Sequence, residues 1–321
     1  MAESFSGAPR LKVGVIGTGA LGRHHVRILA SMPEVELVGI YDQKVELAAG
    51  LAAEHRTFSC RSLEEVCEKA EAVVLAVPTF AHGQMGLEIL SYGLHLLVEK
   101  PIASTLAEAD ALLAARRPDR VLAVGHVEHY NPAVKALLAF GEKPRFLEAQ
   151  RLSQFSPRSL DVDVILDLMI HDLQILHTLD PSEIAEVRCT GIDVLSHKID
   201  IASARIELKS GATANITASR VSAEPVRKLR AFLHQRYFSI DYKEQEIKGF
   251  GLREEGERRV ILPELIELRK VEPLRAELEA FVAACRGEKV DYVDGHSGRR
   301  ALATALMVLA AIDANKNRES R

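Results

Sequence analysis

Lys12-Val13-Gly14-Val15-Ile16-Gly17-Thr18-Gly19-Ala20-Leu21-Gly22 sets a short apolar strand directly before three glycines spaced G-x-G-x-x-G. Each glycine has a physical task. Gly17 permits a tight turn, Gly19 lets the backbone approach a pyrophosphate, and Gly22 lets the next helix pack closely on the strand. Phosphates held there face the positive N-terminus of a helix expected over Leu21–Ser31. Asp42 stands twenty residues beyond Gly22, at the end of a second apolar strand, Val35–Tyr41. Its carboxylate is placed to accept the hydroxyls of a ribose, which favours NAD; a 2′-phosphate would meet like charge. Lys44 is near enough to leave NADP open. The bare alternative is a βαβ turn that holds no ligand. His24 and His25, just past the loop, read as helix residues without a chemical role.

From this loop outward, strand-like and helix-like segments alternate. Helices are expected over Gln43–His55, Leu63–Lys69, His82–Tyr92 and Thr105–Ala115, and strands over Ala72–Val77, His95–Val98 and Val121–Val124. Continuous apolar strands between helices indicate a doubly wound parallel sheet covered on both faces, a Rossmann-like α/β domain. The pattern then changes. After a helix near Pro132–Phe140, strands follow one another: Arg145–Arg151, Ile184–Leu195, Ile199–Leu208, Ala212–Arg220, Lys228–Leu233 and Tyr237–Asp241. One helix, near Val164–Leu179, lies among them, and two more, near Pro273–Arg286 and Ser297–Asn315, close the chain. This predicts an α+β domain with a mostly antiparallel open sheet. The expected division is 1–128, holding the dinucleotide, and 129–321, holding substrate and the oligomer contact.

The bulk numbers fit two domains: 321 residues against ~100–200 per domain. Forty-one basic and 45 acidic residues give a formal charge of −4, with no electrostatic sign of a nucleic-acid partner. Cys60, Cys67, Cys189 and Cys285 form no C-x-x-C pair and read as reduced thiols of a cytoplasmic protein. Met1–Arg10 lacks the apolar core of a signal peptide. The longest apolar run, Ala301–Ala314, is interrupted by Thr304 and Asp313 and is shorter than the ~20 residues of a membrane span. No membrane partner is expected.

Ala76-Val77-Pro78-Thr79-Phe80-Ala81-His82 and Val98-Glu99-Lys100-Pro101, taken with the glycine loop, resemble the glucose–fructose oxidoreductase / inositol dehydrogenase / rhizopine catabolism (Gfo/Idh/MocA) family of sugar dehydrogenases. The resemblance implies an NAD site at Gly17–Gly22 (Thr18, Ala20 and Leu21 included), Asp42, Pro78, Thr79, His82, Glu99 and Lys100. It implies that Lys100 is the active-site lysine, and a lysine at the carboxyl end of a parallel strand does sit where such sheets bind ligands. It also implies a homodimer or homotetramer through the second sheet.

The family's second motif, D-x-G-x-H-x-x-D, is matched by Asp167-Leu168-Met169-Ile170-His171-Asp172 at Asp167 and His171, four apart as on one helix face. Met169 replaces the glycine, and the last acid comes early, as Asp172. A structural Asp–His pair is the plain alternative. In Gly125-His126-Val127-Glu128-His129-Tyr130-Asn131-Pro132, relatives carry an arginine at the place of His129. His126, Glu128 and His129 raise a metal site, but hydride transfer needs no metal and none is expected. Tyr130 and Asn131 are expected at the sugar pocket.

Asp161–Asp172, Arg151-Leu152 and Thr217–Ser222 resemble one branch of the family, whose members oxidise the 3-hydroxyl of UDP-N-acetylglucosamine for lipid A synthesis. A diphosphate needs cationic or amide donors. Arg151, Arg158, Arg220, Arg227, Lys228 and Arg230 are available, with Arg158 and Arg220 the leading candidates and Arg151 beside them. His171 is the first candidate for the base, since imidazole titrates near neutrality. Lys100 would steady the developing oxyanion or be the base itself, and Asp167 would orient the sugar or His171. Three rivals share the fold: a dehydrogenase of a free sugar or inositol, a biliverdin-type reductase, and a non-catalytic NAD-binding sensor.

Overall fold

Leu11–Ile16 (β1) is buried at every position but Lys12, as a strand flanked by neighbours and covered on both faces must be. The computed structural model describes residues 9–155, 162–255 and 258–319. In its first part β1 is followed by α1 (Gly22–Leu29), β2 (Val35–Tyr41), α2 (Val45–His55), α3 (Leu63–Lys69), β3 (Ala72–Leu75), α4 (His82–Ser91), β4 (His95–Glu99), α5 (Leu106–Ala115) and β5 (Leu122–Gly125). The strands run parallel in the order β2-β1-β3-β4-β5. The order reverses at β1, so a crevice is expected at the carboxyl ends of β1, β2 and β3. Local chemistry agrees with the elements: Thr105 and Glu108 form a capping box at α5, and Ser62 caps α3. Val13, Val15, Ile28, Leu29, Val74 and Leu97 fill the core.

The second part opens with α6 (Pro132–Ala139). Asn131 accepts the Ala133 amide at 3.1 Å and Pro132 takes the first helical position, so this helix start is written in the sequence. Then come β6 (Phe146–Leu152), a π-helical turn (Ile165–Met169) running into α7 (Ile170–Leu179), β7 (Ile184–Ile192), β8 (Ile201–Leu208), β9 (Thr213–Ser219), β10 (Val226–Phe232), β11 (Arg236–Asp241), β12 (Glu246–Glu255) and β13 (Arg258–Glu264). The eight strands pair in the order β13-β12-β11-β10-β6-β9-β8-β7. All pairs are antiparallel except β6 with β9. Alternate residues of β8 are buried, the pattern of a sheet covered on one face.

Two differences from the expected fold stand out. β12 and β13 are absent from the expected strands: Pro263 stands on β13, the edge strand, where a missing amide donor is tolerated, and at Gly249 on β12 an added Cβ would lie 2.5 Å from the Phe238 ring. The chain also divides into 1–125 with 274–299, and 126–273 with 300–321, rather than at a single cut near 128. The reason is α8 (Pro273–Cys285): its Leu278, Phe281 and Val282 are buried in the same core as Val13 and Ile28. The last helix, α9 (Gly295–Glu319), contributes Ala301, Ala305, Val308 and Ile312 to the core of the second unit.

Candidate functional site

In the first unit the glycine loop borders a cleft of about 280 Å³, lined among others by Gly17, Gly19, Asp42, Leu47, Pro78 and Phe80. Gly17 has φ +90, a region L side chains avoid, and a Cβ there would lie 2.4 Å from the Ala76 carbonyl oxygen. At Gly22 an added Cβ would fall 1.8 Å from the Gly17 carbonyl, so the helix can approach the strand only as glycine. At Gly19 a Cβ would meet nothing within 4 Å, leaving the room that a pyrophosphate needs. Leu21 precedes α1 without a side-chain cap, so no side chain competes for its first amides. Asp42 is tied to the loop: Oδ2 accepts the Thr18 amide at 2.7 Å and the Thr18 hydroxyl at 3.1 Å, and Oδ1 accepts the Lys44 amide at 2.8 Å. Its carboxylate is thus fixed at the edge of the cleft. Open space at Gly19, an aimed carboxylate at Asp42 and the apolar wall at Leu47 and Phe80 together fit a dinucleotide.

Thr79, His82, Glu99 and Lys100 do not line that cleft. The Thr79 carbonyl accepts the Ser104 hydroxyl at 3.3 Å. His82 is fully buried, with Nδ1 2.7 Å from the Pro101 carbonyl and Nε2 2.9 Å from the Val77 carbonyl. Both ring nitrogens therefore face backbone, which speaks against the expected cofactor contact. Glu99 ends β4 inside the unit. Its Oε1 lies 2.7 Å from His25 Nε2, and its Oε2 accepts the Lys100 amide at 3.2 Å. His25, fully buried, has a definite partner, contrary to its reading as an idle helix residue. The spacing Gly22-x-x-His25, which turns this side chain back toward the sheet, was the available signal. Lys100 follows at the strand end, half-buried.

In the second unit Asp167 lies in the π-helical turn and His171 in the first turn of α7, both half-buried. The expected uniform α-helix is thus wound wider where Asp167 stands, a distortion frequent at functional sites. The buried His126 ring meets His171 edge-on at 5.8 Å. Asp172, beside His171, is buried, accepting Arg151 Nε at 2.8 Å, Arg151 Nη2 at 3.1 Å and the Tyr242 hydroxyl at 2.9 Å. Arg151 also donates Nη1 to Glu128 at 2.7 Å and stacks over Tyr242 at 4.8 Å. Burial disfavours the Arg151 charge, but Asp172 and Glu128 outweigh it and hold the guanidinium protonated.

The described residues expected to hold the substrate have partners within their own unit. Arg151 is 3 % exposed and committed to its own unit. Arg220 is also buried: it pairs with Asp200 (3.5 Å) and donates to the Val162 and Ile199 carbonyls. Asn131 spends its side chain on the helix start and on the Tyr242 carbonyl, 2.9 Å away. Tyr130 is buried, with the Lys135 ammonium over its ring at 5.1 Å. Arg158 lies outside the described residues. Among the described residues no group of three or more His, Cys, Asp or Glu is arranged to hold a metal, and no helix is long and apolar enough to cross a membrane.

Residues 11–126 match the oxidoreductase family with an NAD-binding Rossmann fold. The chain is 38% identical to a UDP-N-acetylglucosamine 3-dehydrogenase of Acidithiobacillus ferrooxidans, over 95% of this chain and 98% of that one. A solved structure of that enzyme superposes with a TM-score of 0.90, covering 96% of this chain and 99% of the other. An inositol 2-dehydrogenase of Rubrobacter xylanophilus is 30% identical over 57% of this chain and 56% of its own length. Levoglucosan dehydrogenase in complex with NADH and levoglucosan, at 18% identity and a TM-score of 0.83, shares the fold. The fold and the cofactor cleft thus define an NAD-dependent oxidoreductase. The chain belongs to the Gfo/Idh/MocA family.

Proposed function

We propose that this enzyme oxidises the 3-hydroxyl of UDP-N-acetylglucosamine to a ketone, supplying a nucleotide sugar for lipid A precursor synthesis in the cytoplasm. The observation that carries the reading is the end-to-end similarity to a UDP-N-acetylglucosamine 3-dehydrogenase, 38% identical over 95% of the chain. Bound NAD supplies the hydride acceptor. The protein handles the proton and the charge. His171 is the candidate base for the hydroxyl proton, and Lys100 is the candidate for a hydrogen bond to an oxygen on which negative charge develops. Asp167, in the widened turn before His171, orients the sugar or the imidazole. With Arg151 and Arg220 committed inside the second unit, recognition of the diphosphate rests on other donors. The enzyme is a homodimer or homotetramer assembled through the eight-stranded sheet.

The test is nicotinamide absorbance when NAD and UDP-N-acetylglucosamine are mixed with the enzyme, followed by identification of the keto carbon. Reduction with free sugars or inositol alone would move the assignment to that rival. Tight NAD binding without reduction by any sugar would favour the sensor. Separate Lys100→Ala and His171→Ala variants should each lose turnover by ~10²-fold or more.

A further inference from the structure

His82 opens α4 and is fully buried between two carbonyl oxygens, those of Val77 and Pro101, at 2.9 and 2.7 Å. Val77 lies just past β3, and Pro101 follows Lys100 directly. A neutral imidazole has one N–H and can donate to one of these carbonyls; its other nitrogen then presents a lone pair to an oxygen. The imidazolium has two N–H groups and satisfies both. The ring is thus a bridge between the exit of β3 and the turn that carries Lys100, and its charge decides whether one side or both are held.

We propose that His82 is a positioning residue for Lys100, a buried imidazole clamp whose grip on the Lys100–Pro101 turn is coupled to the charge of the lysine itself. The inference rests on the reading of Lys100 as an active-site residue. The groups facing His82 support it. Burial favours the neutral ring and lowers its pKa; the two carbonyls and the Glu99 carboxylate oppose this, and the Lys100 ammonium adds to it. When Lys100 loses its charge, the ring gains a proton more readily and both carbonyls are held. When Lys100 is charged, the clamp loosens on one side.

The coupling can be read without any sugar. Ring nitrogen resonances of the full chain, with His82 assigned by its loss in His82→Gln, should show an exchange-protected N–H. The titration midpoint of His82 should rise in Lys100→Met. A midpoint that does not move in that variant overturns the coupling. The positioning role is read from His82→Phe and His82→Gln together. His82→Phe should lower kcat by ~10-fold or more with NAD affinity kept within ~3-fold, while His82→Gln, which retains one donor, should recover part of kcat. Unchanged kcat in His82→Phe overturns the role, and so does a loss of NAD affinity as large as the loss of kcat, which would make His82 a cofactor ligand. If the parent enzyme oxidises no sugar, the substrate assignment fails while the titration still decides the coupling.

Discussion

Replacing Arg151 by methionine separates two roles for this residue, because they predict opposite measurements. The structure makes Arg151 an internal counter-ion, 4 % exposed at its side chain, facing Asp172 at 1 % and Glu128 at 12 %. Arg151→Met keeps the apolar stem over Tyr242 and removes the guanidinium. Of the contacts described above, Asp172 then keeps that with the Tyr242 hydroxyl, at 2.9 Å. Removing one partner of such a buried pair costs ~3–5 kcal/mol, because the remaining charge stays desolvated. In a unit of this size each kcal/mol lowers Tm by ~2–4 °C, so the fall should be ~6–20 °C. Calorimetric melting of the parent and variant measures it. The double variant Arg151→Met/Asp172→Leu should recover much of the loss, since an apolar pair in place of a buried ion pair is often neutral or better. If Arg151 instead binds the substrate diphosphate, Tm stays within ~2 °C and KM for the UDP-sugar rises steeply. That result would refute the structural account of the Arg151–Asp172 pair.

Asp200 offers a pH test. Burial works to raise its pKa, but the Ser196 hydroxyl and the amides of Leu195, Ser196 and Val194 outweigh burial and hold it at about 2. Because the folded value lies below the unfolded ~3.9, this carboxylate stabilises the fold by ~2–3 kcal/mol above that pH, and the contribution is lost as pH falls toward the folded value. Urea titrations across this range should show a shallower acid dependence for Asp200→Asn than for the parent. Glu277 behaves in the opposite sense: it is buried, neither carboxyl oxygen has a hydrogen-bond partner among the described residues, and burial followed by the charge of Glu99 pushes its pKa well up. The unfolded chain therefore releases this proton first, near pH ~4.3, and stability declines as pH rises past that point. Glu277→Leu should flatten that decline and raise stability at neutral pH by ~1–3 kcal/mol; lower stability would show that Glu277 has a stabilising partner in solution. Asp42→Ala should weaken NAD by ~10-fold or more and narrow the margin over NADP, since a charged acceptor for the ribose is removed. Equal NAD affinity in calorimetric titration would remove Asp42 from the cofactor site.

Much of the fold was legible because local and periodic signals agree. Apolar strands alternating with helices gave the five-stranded sheet, and a helix near Pro132 was legible too, although its cap, Asn131, reads as a sugar-pocket residue until its contacts are seen. β12 and β13 were not legible because glycines and a proline interrupt the strand pattern; Pro263 is accepted on the edge strand, and Gly249 makes room for the Phe238 ring only once β11 and β12 pair. The cofactor loop was legible because its glycines and Asp42 act through backbone geometry fixed by spacing. The arginines were not: residue type cannot distinguish an arginine that meets a diphosphate from one that neutralises an interior carboxylate. Arg151 and Asp172 are 21 positions apart, and Arg151 on β6 meets Asp172 on α7 only after the sheet forms. His25 and Glu99 are 74 positions apart, a separation no local pattern encodes. His82 was read from its motif as a cofactor residue, and its two carbonyl partners became visible only once β3 and the Lys100 turn were in place.

The most direct measurement is the reduction of NAD by the purified enzyme with UDP-N-acetylglucosamine as the sole sugar, followed by magnetic resonance of the product. The account predicts reduced nicotinamide in step with a ketone at carbon 3 of the N-acetylglucosamine ring. Absence of reduction with this substrate, alongside reduction with a free sugar or inositol, would contradict it.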